Sequence, residues 1–289
     1  MPAQRIDFPI VDAHVHLFDP NRLRYPWLVS VPKINKPFLP ADFDRLRGGV
    51  EVEKIVFAEV AVDDSQHLAE AEFVTGLADS DPRIQGLVAA AALERGSAIQ
   101  PDLEKLAELK LVRGVRRLIE VQSDPDFPLR RSFIDGVKLL PRYGFSFDIC
   151  IKHHQLRNTI KFARQCPEVP MVLDHIAKPG IKFDLIEPWW SQIKELAELS
   201  NVSCKISGVV TEADHERWRA EQISPYLCRI IDVFGFDRIM FASDWPVSEL
   251  THRYADWVDM VAAVTAGCTE EEHRKLFRDN AIRFYKLDP

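Results

Sequence analysis

Short apolar, strand-like runs recur eight times along the chain, with segments between them that read as helices, and few folds accommodate that rhythm. The runs are IVDAHVHL (10–17), KIVFAEV (54–60), IQGLVAA (84–90), VRGVRRLI (112–119), FSFDICIK (145–152), PMVLDHI (170–176), VSCKIS (202–207) and RIMFASD (238–244). Between them, 65–79, 129–144, 188–200 and 224–235 carry apolar residues at helical spacing, and Gly144 and Gly235 stand where a helix should stop. A last helix is predicted from Thr269, with Glu272 three residues on completing a capping box and Leu276, Phe277, Ile282 and Phe284 continuing its face. The segment 18–50 is rich in Pro and Arg, has no clear period, and reads as a long loop after strand one. No linker or composition break divides the chain, so 1–289 is expected to be one domain. Eight strands alternating with helices predict an α/β protein, a (β/α)8 TIM-type barrel, whose usual size is about 250 residues. A doubly wound open sheet is the alternative, and the lack of a GxGxxG after strand one argues against its dinucleotide-binding version.

His14 and His16 carry the clearest chemical signal. One residue apart on a strand, their imidazoles share a face, while Val11, Ala13, Val15 and Leu17 are expected to share the other. Two hydrogen-bonded histidines at a strand end are the plain reading; a metal or proton-transfer site is the chemical one. In a barrel the C-terminal strand ends converge, and several here are polar. Strand two ends near Glu59, strand four carries Arg116 and Arg117, strand five ends in Lys152, His153 and His154, strand six in His175 and strand eight in Asp244. A lone His175 is more often a hydrogen-bonded structural residue, but the coincidence across strands one, five, six and eight points to a site. Histidine nitrogens with a carboxylate suit one divalent ion, zinc first, with a position left for water. Asp244 would take a proton from that water and pass it to the leaving oxygen. The same residues also allow a metal-independent site, with the histidines and Arg116 polarising a carbonyl.

A formal net charge of −7 argues against nucleic acid or an anionic membrane as partner; the strand-end cluster points instead to a small-molecule substrate. The N-terminal MPAQRIDFPI lacks the pattern of a secretory leader, and the five scattered cysteines read as free thiols, so a cytoplasmic location is expected. Oligomeric state is open, a homodimer included.

HVH on strand one, LDHIAKP on strand six and FASDWP on strand eight resemble the amidohydrolase superfamily. More narrowly, GVRRLIEVQSDPDF (114–127), FDICIKHHQL (147–156) and VSCKISGVVTEAD (202–214) are similar to the sugar-lactonase group of its amidohydrolase-2 branch, which acts on L-fucono- and L-rhamnono-type lactones; the likeness runs from about residue 6 to 287. The resemblance implies a barrel that hydrolyses a cyclic ester. It assigns His14, His16 and His175 to the centre that binds metal or the substrate carbonyl, Asp244 to water activation (and to the metal as a ligand), and Arg116 to the substrate carbonyl. His153 matches a strand-five histidine of binuclear relatives and is carried as a substrate-binding candidate. GVRRLI offers no lysine for the carbamate of binuclear relatives, so one metal or none is expected.

Trp27, within YPWL, and Trp245, next to Asp244, are the aromatic candidates for a sugar surface; each also fits a rim position. Glu120, Asp124 and Asp126 read as a solvated acidic loop, and Lys178 and Lys205 as salt-bridge partners of Asp174 or Asp148. Glu212 and Asp214 have no assigned role. The branch also contains non-oxidative decarboxylases, for which Arg116 and Arg117 would hold a carboxylate; CKISGVVTEAD argues against that alternative. A barrel that binds without turnover would show a broken HxH pair or a replaced Asp244, and both are intact.

Overall fold

The computed structural model describes residues 6–288. Residues 1–5, part of the stretch behind the expectation of no leader, and Pro289 lie outside the described residues. Eight parallel strands pair in sequence order: β1 (Ile10–Val15), β2 (Val52–Ala58), β3 (Ile84–Ala90), β4 (Val112–Arg116), β5 (Ser146–Ile149), β6 (Met171–Leu173), β7 (Val202–Ile206) and β8 (Ile239–Phe241). A helix follows each in turn: α1 (Pro40–Leu46), α2 (His67–Ala78), α3 (Gln100–Glu108), α4 (Arg131–Val137), α5 (Leu156–Ala163), α6 (Trp189–Ala197), α7 (Ala220–Phe234) and α8 (Tyr254–Val264). The ring closes beyond β8, where Val15 bridges Trp245, His16 N–H donates to Trp245 O at 2.7 Å and Asp244 N–H donates to His14 O at 3.0 Å. This is the (β/α)8 barrel that the rhythm predicts. Among the described residues, no helix is long and apolar enough to cross a membrane.

Two apolar layers hold the barrel. The larger lies between strands and helices and includes Ile55, Phe57, Leu87, Phe147, Leu173, Ile206 and Phe241. The smaller fills the barrel interior with Val11, Ala13, Val56, Val88, Val172 and Met240, sealed by Ala281, Tyr285 and Leu287. Those last three come from the C-terminal segment: α9 (Glu270–Arg274), a π-helical turn and α10 (Asn280–Tyr285). The capping box forms as expected, Thr269 accepting from Glu272 N–H at 3.2 Å and Glu272 accepting from Thr269 N–H at 2.8 Å. Gly86 makes room for the plug, since a Cβ there would stand 2.9 Å from Leu287 Cδ2.

The structure corrects the sequence reading in several places. Segment 18–50 is not one long loop: it holds 3-10 turns at Pro26–Ser30 and Pro32–Ile34, then α1, each beginning on a proline whose missing N–H costs nothing at a first helical position. Helix 129–144 breaks after Val137 into a 3-10 turn containing Pro141, and ends on left-handed Gly144 (φ 74°). Helix α7 begins at Ala220 and carries Pro225 inside it. Gly136 lets α4 lie against the preceding turn; a Cβ there would penetrate the Leu93 carbonyl oxygen. Gly136→Ala is expected to cost about 1–3 kcal/mol, read as a lower urea midpoint at unchanged slope.

One irregularity positions the site. Asp12 pairs with Ile55 but Val15 with Phe57, so β1 carries an extra residue, a β-bulge. The bulge flips the strand's phase, as any one-residue slip does. Val11 and Ala13 therefore point into the barrel with His14 and His16, and the expectation that they share a face with Val15 and Leu17 is corrected. Asp12 pins the bulge, accepting from His14 N–H at 3.1 Å, Ser243 N–H at 2.9 Å and Tyr254 O–H at 3.0 Å.

Candidate active site

The phase flip aims both histidines of β1 into the mouth of the barrel. His16 Nδ1–H donates to Ala58 O at 2.8 Å, which leaves the Nε2 lone pair facing inward. His14 Nδ1 stands between Asp174 Oδ1 at 3.3 Å and Lys205 Nζ at 3.2 Å, and its Nε2 faces the mouth. The two Nε2 atoms face each other at 3.3 Å, and Asp244 Oδ1 lies 3.2 Å from His16 Nε2. The same oxygen is 3.8 Å from His14 Nε2 and 3.8 Å from His175 Nε2, while His175 Nδ1 is hydrogen-bonded to Ser207 Oγ at 2.9 Å. Burial holds the His14 imidazole well below its ordinary pKa, with Asp174 opposing, and lowers His175 to about 4, with Asp244 opposing. Both are neutral ligand forms at neutral pH. Burial raises Asp244, but His175, His16 and His14 outweigh it and keep the carboxylate ionised.

Backbone strain presents these groups. His175, Ile176, Ala177 and Lys178 all have positive φ (52°, 48°, 63° and 46°), and so does Asp244 (61°). Such conformations cost non-glycine residues about 1–3 kcal/mol each and concentrate at functional sites. They explain why strands β6 and β8 stop at Leu173 and Phe241, short of the apolar runs. Gly208 (φ 56°) packs under the pair: a Cβ there would stand 2.5 Å from His175 Nδ1 and 3.1 Å from Asp244 Oδ2. Gly208→Ala is expected to displace His175 from Ser207 and to lower turnover by about 100-fold, with a stability loss of only about 1–2 kcal/mol. Paired rate and unfolding measurements check this.

A buried ionic chain lies beneath. Arg116 Nε donates to Glu59 Oε1 at 2.6 Å, and its Nη1 reaches Asp174 Oδ2 at 3.1 Å and His14 Nε2 at 3.2 Å. Lys205 Nζ bridges Asp148 Oδ2 (2.6 Å) and Asp174 Oδ1 (3.0 Å), and Tyr285 O–H caps Asp148 Oδ2 at 2.8 Å. Burial opposes both cations, and the carboxylates beside them more than restore their charge. Lys205 thus partners both Asp148 and Asp174, whereas Lys178 partners Glu120 at 2.5 Å.

A cavity of about 240 Å³ opens above this centre. Its lining includes His16, His175, Asp244, Arg116, Trp27, Glu120, Cys150 and Lys178. The structure therefore brings together His14, His16, His175, Asp244 and Arg116, with Trp27 at the wall, its indole N–H donating to Val60 O at 2.7 Å. Two substrate-binding expectations are corrected. Trp245 is fully buried with its ring against Phe38 and Phe43, because the left-handed turn at Asp244 sends the next side chain outward. His153 is displaced from the cavity because β5 ends at Ile149 and His153 falls in the turn before α5. It donates from Nδ1 to Lys178 O at 2.9 Å and lines a neighbouring groove with Glu212 and Asp214. Cys150, which no pattern singled out, takes the strand-five position in the cavity. Glu120 leaves the solvated acidic loop and turns into the cavity, while Arg117 turns away to Glu94 and Asp64.

The donor set fits one divalent ion. Two ligands at zinc–nitrogen distances of about 2.0–2.1 Å in a tetrahedral site stand roughly 3.3 Å apart. The His14–His16 Nε2–Nε2 spacing of 3.3 Å and the His16 Nε2–Asp244 Oδ1 spacing of 3.2 Å match, while Asp244 Oδ1 stands wider, at 3.8 Å, from His14 Nε2 and His175 Nε2. Carboxylate and carbonyl partners on the far ring nitrogens of His14 and His16 are the usual second support of metal-binding histidines. His14, His16 and Asp244 form one such cluster; His175 extends it.

Fold and donor set together define the class, a (β/α)8 barrel with a metal-competent centre at the C-terminal strand ends. The amidohydrolase family model matches residues 11–287, and the chain belongs to that family. It is 30% identical over 302 residues to an uncharacterised protein, y4mH, of Sinorhizobium fredii, covering 97% of this chain and 99% of that one. It is 28% identical over 288 residues to an L-fucono-1,5-lactonase of Burkholderia ambifaria, covering 96% of each. A crystal structure of an amidohydrolase of Burkholderia multivorans with bound zinc superposes with a TM-score of 0.87 at 27% identity, covering 97% of this chain and 100% of that one.

Proposed function

We propose that the protein hydrolyses a sugar lactone, opening the ring ester by attack of water on the carbonyl carbon. The observation that carries the reading is the meeting of three imidazole Nε2 atoms and Asp244 Oδ1 at the floor of a cavity. The L-fucono-1,5-lactonase of Burkholderia ambifaria supports the choice of substrate.

His14, His16, His175 and Asp244 would hold one divalent ion, zinc first. Such an ion supplies Lewis acidity, polarising a carbonyl oxygen and making water a stronger acid. Asp244 keeps Oδ2 for the proton of the attacking water, since Oδ1 is the oxygen turned to the histidines. Held ionised, it accepts that proton and returns it to the ring oxygen as the ester bond breaks. Arg116, fixed by Glu59 and Asp174, brings positive charge to the side of the cavity where the carbonyl oxygen becomes negative. Arg116 and Arg117 are both engaged by carboxylates, which leaves the decarboxylase alternative without its paired carboxylate clamp.

A pH-indicator assay across five- and six-membered aldonolactones, with carbon dioxide release from hydroxybenzoates in parallel, tests the reading. Acid release from at least one aldonolactone and no carbon dioxide is expected; a folded protein inert toward every lactone overturns it. Chelation is expected to abolish acid release and added zinc to restore it, with about one ion per chain by metal analysis. Full rate after complete metal removal would assign the polarisation to Arg116 and the imidazoles alone.

A further inference from the structure

The cavity lining has two chemically unlike parts. Trp27, Val60, Leu118, Val121 and Val247 make one, an apolar surface suited to ring C–H groups. The other carries the Lys178–Glu120 ion pair, with Nζ and Oε2 2.5 Å apart and both side chains about one-sixth exposed (17% and 16%). Among the described residues that line the cavity, the cations are Arg116 and Lys178. Arg116 is matched by Glu59 and Asp174, and Lys178 by Glu120. A substrate bearing a carboxylate would bring an anion to a lining with no unmatched cation, alongside Asp244 and Glu120. A neutral ring bearing hydroxyls meets a better match: an ammonium with three donors and a carboxylate with up to four acceptor positions, only one contact of each being spent on the other.

Resting on the lactonase reading, we infer that the Lys178–Glu120 pair is the specificity element of this site, hydrogen-bonding the ring hydroxyls of a monocyclic, uncharged lactone and excluding carboxylate-bearing ones. The pair is built for this place. Lys178 sits at φ 46°, at the end of the left-handed run that also delivers His175, so the loop that sets the reacting centre also sets the recognising cation. His153 holds that loop through the Lys178 carbonyl, at 2.9 Å. Lys178 keeps Glu120 below the ordinary carboxylate range although burial acts the other way, so the pair is ionised.

The test measures kcat and KM for wild type, Glu120→Gln and Lys178→Met on three probes: a hydroxylated aldonolactone, unsubstituted δ-valerolactone, and an aldarolactone carrying a carboxylate. In both variants the ratio of kcat/KM for aldonolactone over δ-valerolactone is expected to fall at least about tenfold, mainly through KM, the size of one lost charge-assisted hydrogen bond. Glu120→Gln, which unmatches Lys178, is expected to raise aldarolactone hydrolysis relative to aldonolactone; Lys178→Met is expected not to. A general loss of packing lowers all probes together and leaves the ratios fixed, and fixed ratios in both variants overturn the inference. A wild type that prefers the aldarolactone overturns it as well. A wild type that hydrolyses none of the probes overturns the lactonase reading and this inference with it; active wild type with fixed ratios overturns this inference alone.

Discussion

Asp244→Asn is expected to lower kcat/KM on the best aldonolactone by about 10³-fold or more, while the protein unfolds at nearly the wild-type denaturant concentration. The size follows from two losses at one atom group: the proton acceptor, commonly worth about 10²–10⁴-fold, and the negative charge that the three imidazoles share. The unchanged stability follows from the backbone. Asp244 sits at φ 61°, and Asn is the residue that tolerates this region best after Gly, so the turn after β8 survives the change. Asp244→Ala would mix that strain into the result. Steady-state rates beside a urea titration check the prediction, and retention of more than about a tenth of the rate would remove Asp244 as the base.

Lys205→Met is expected to destabilise the barrel by about 3–5 kcal/mol, the cost of taking one partner from a buried ion cluster. Lys205 is fully buried between Asp148 and Asp174, and methionine fills the space without the charge. Asp174 keeps Arg116, so most of the loss falls on Asp148, left with Tyr285. The loss has a pH signature. Burial already pushes Asp148 up to about 6 from an ordinary 3.8, with Lys205 opposing, and removing Lys205 raises it further. A carboxyl whose folded pKa exceeds its unfolded value binds protons more tightly when folded, so stability is present at low pH and lost as pH rises through the folded pKa. The variant's deficit is therefore expected to be larger at pH 8 than at pH 5, and Asp148→Asn in the same chain should recover part of it. Urea unfolding at the two pH values decides; an equal deficit at both would assign the loss to packing.

The barrel was legible because its evidence is periodic. Every strand run recovers its strand, and β-branched positions such as Val56, Val88 and Val172 fill the interior as such a sheet requires. What escaped is aperiodic. The bulge at Asp12–Val15 breaks the alternation assumed for Val11 and Ala13, and nothing in IVDAHVHL marks where the extra residue sits. The left-handed run His175–Lys178 is made by residues with no preference for that region, so LDHIAKP reads as a longer strand than the three residues that form β6. His153 misses the cavity and Cys150 lines it because a strand end that shifts by a few residues changes which side chain faces the mouth. Lys205, by contrast, was legible as a charge inside an otherwise apolar strand, and it meets both of the partners expected for it, Asp148 and Asp174, whereas Lys178 goes to Glu120. Gly208 has no signal: its role is the absence of a Cβ beneath His175.

The central claim is that water, activated by Asp244 beside the histidine cluster, attacks the carbonyl carbon of a ring ester. Single-turnover hydrolysis of an aldonolactone in ¹⁸O-water, with the product read by mass spectrometry, tests it most directly. One solvent oxygen in the new carboxylate, and none in the hydroxyl released from the ring, is the predicted result; label in that hydroxyl, or no label incorporated by an enzyme that turns the lactone over, would contradict it.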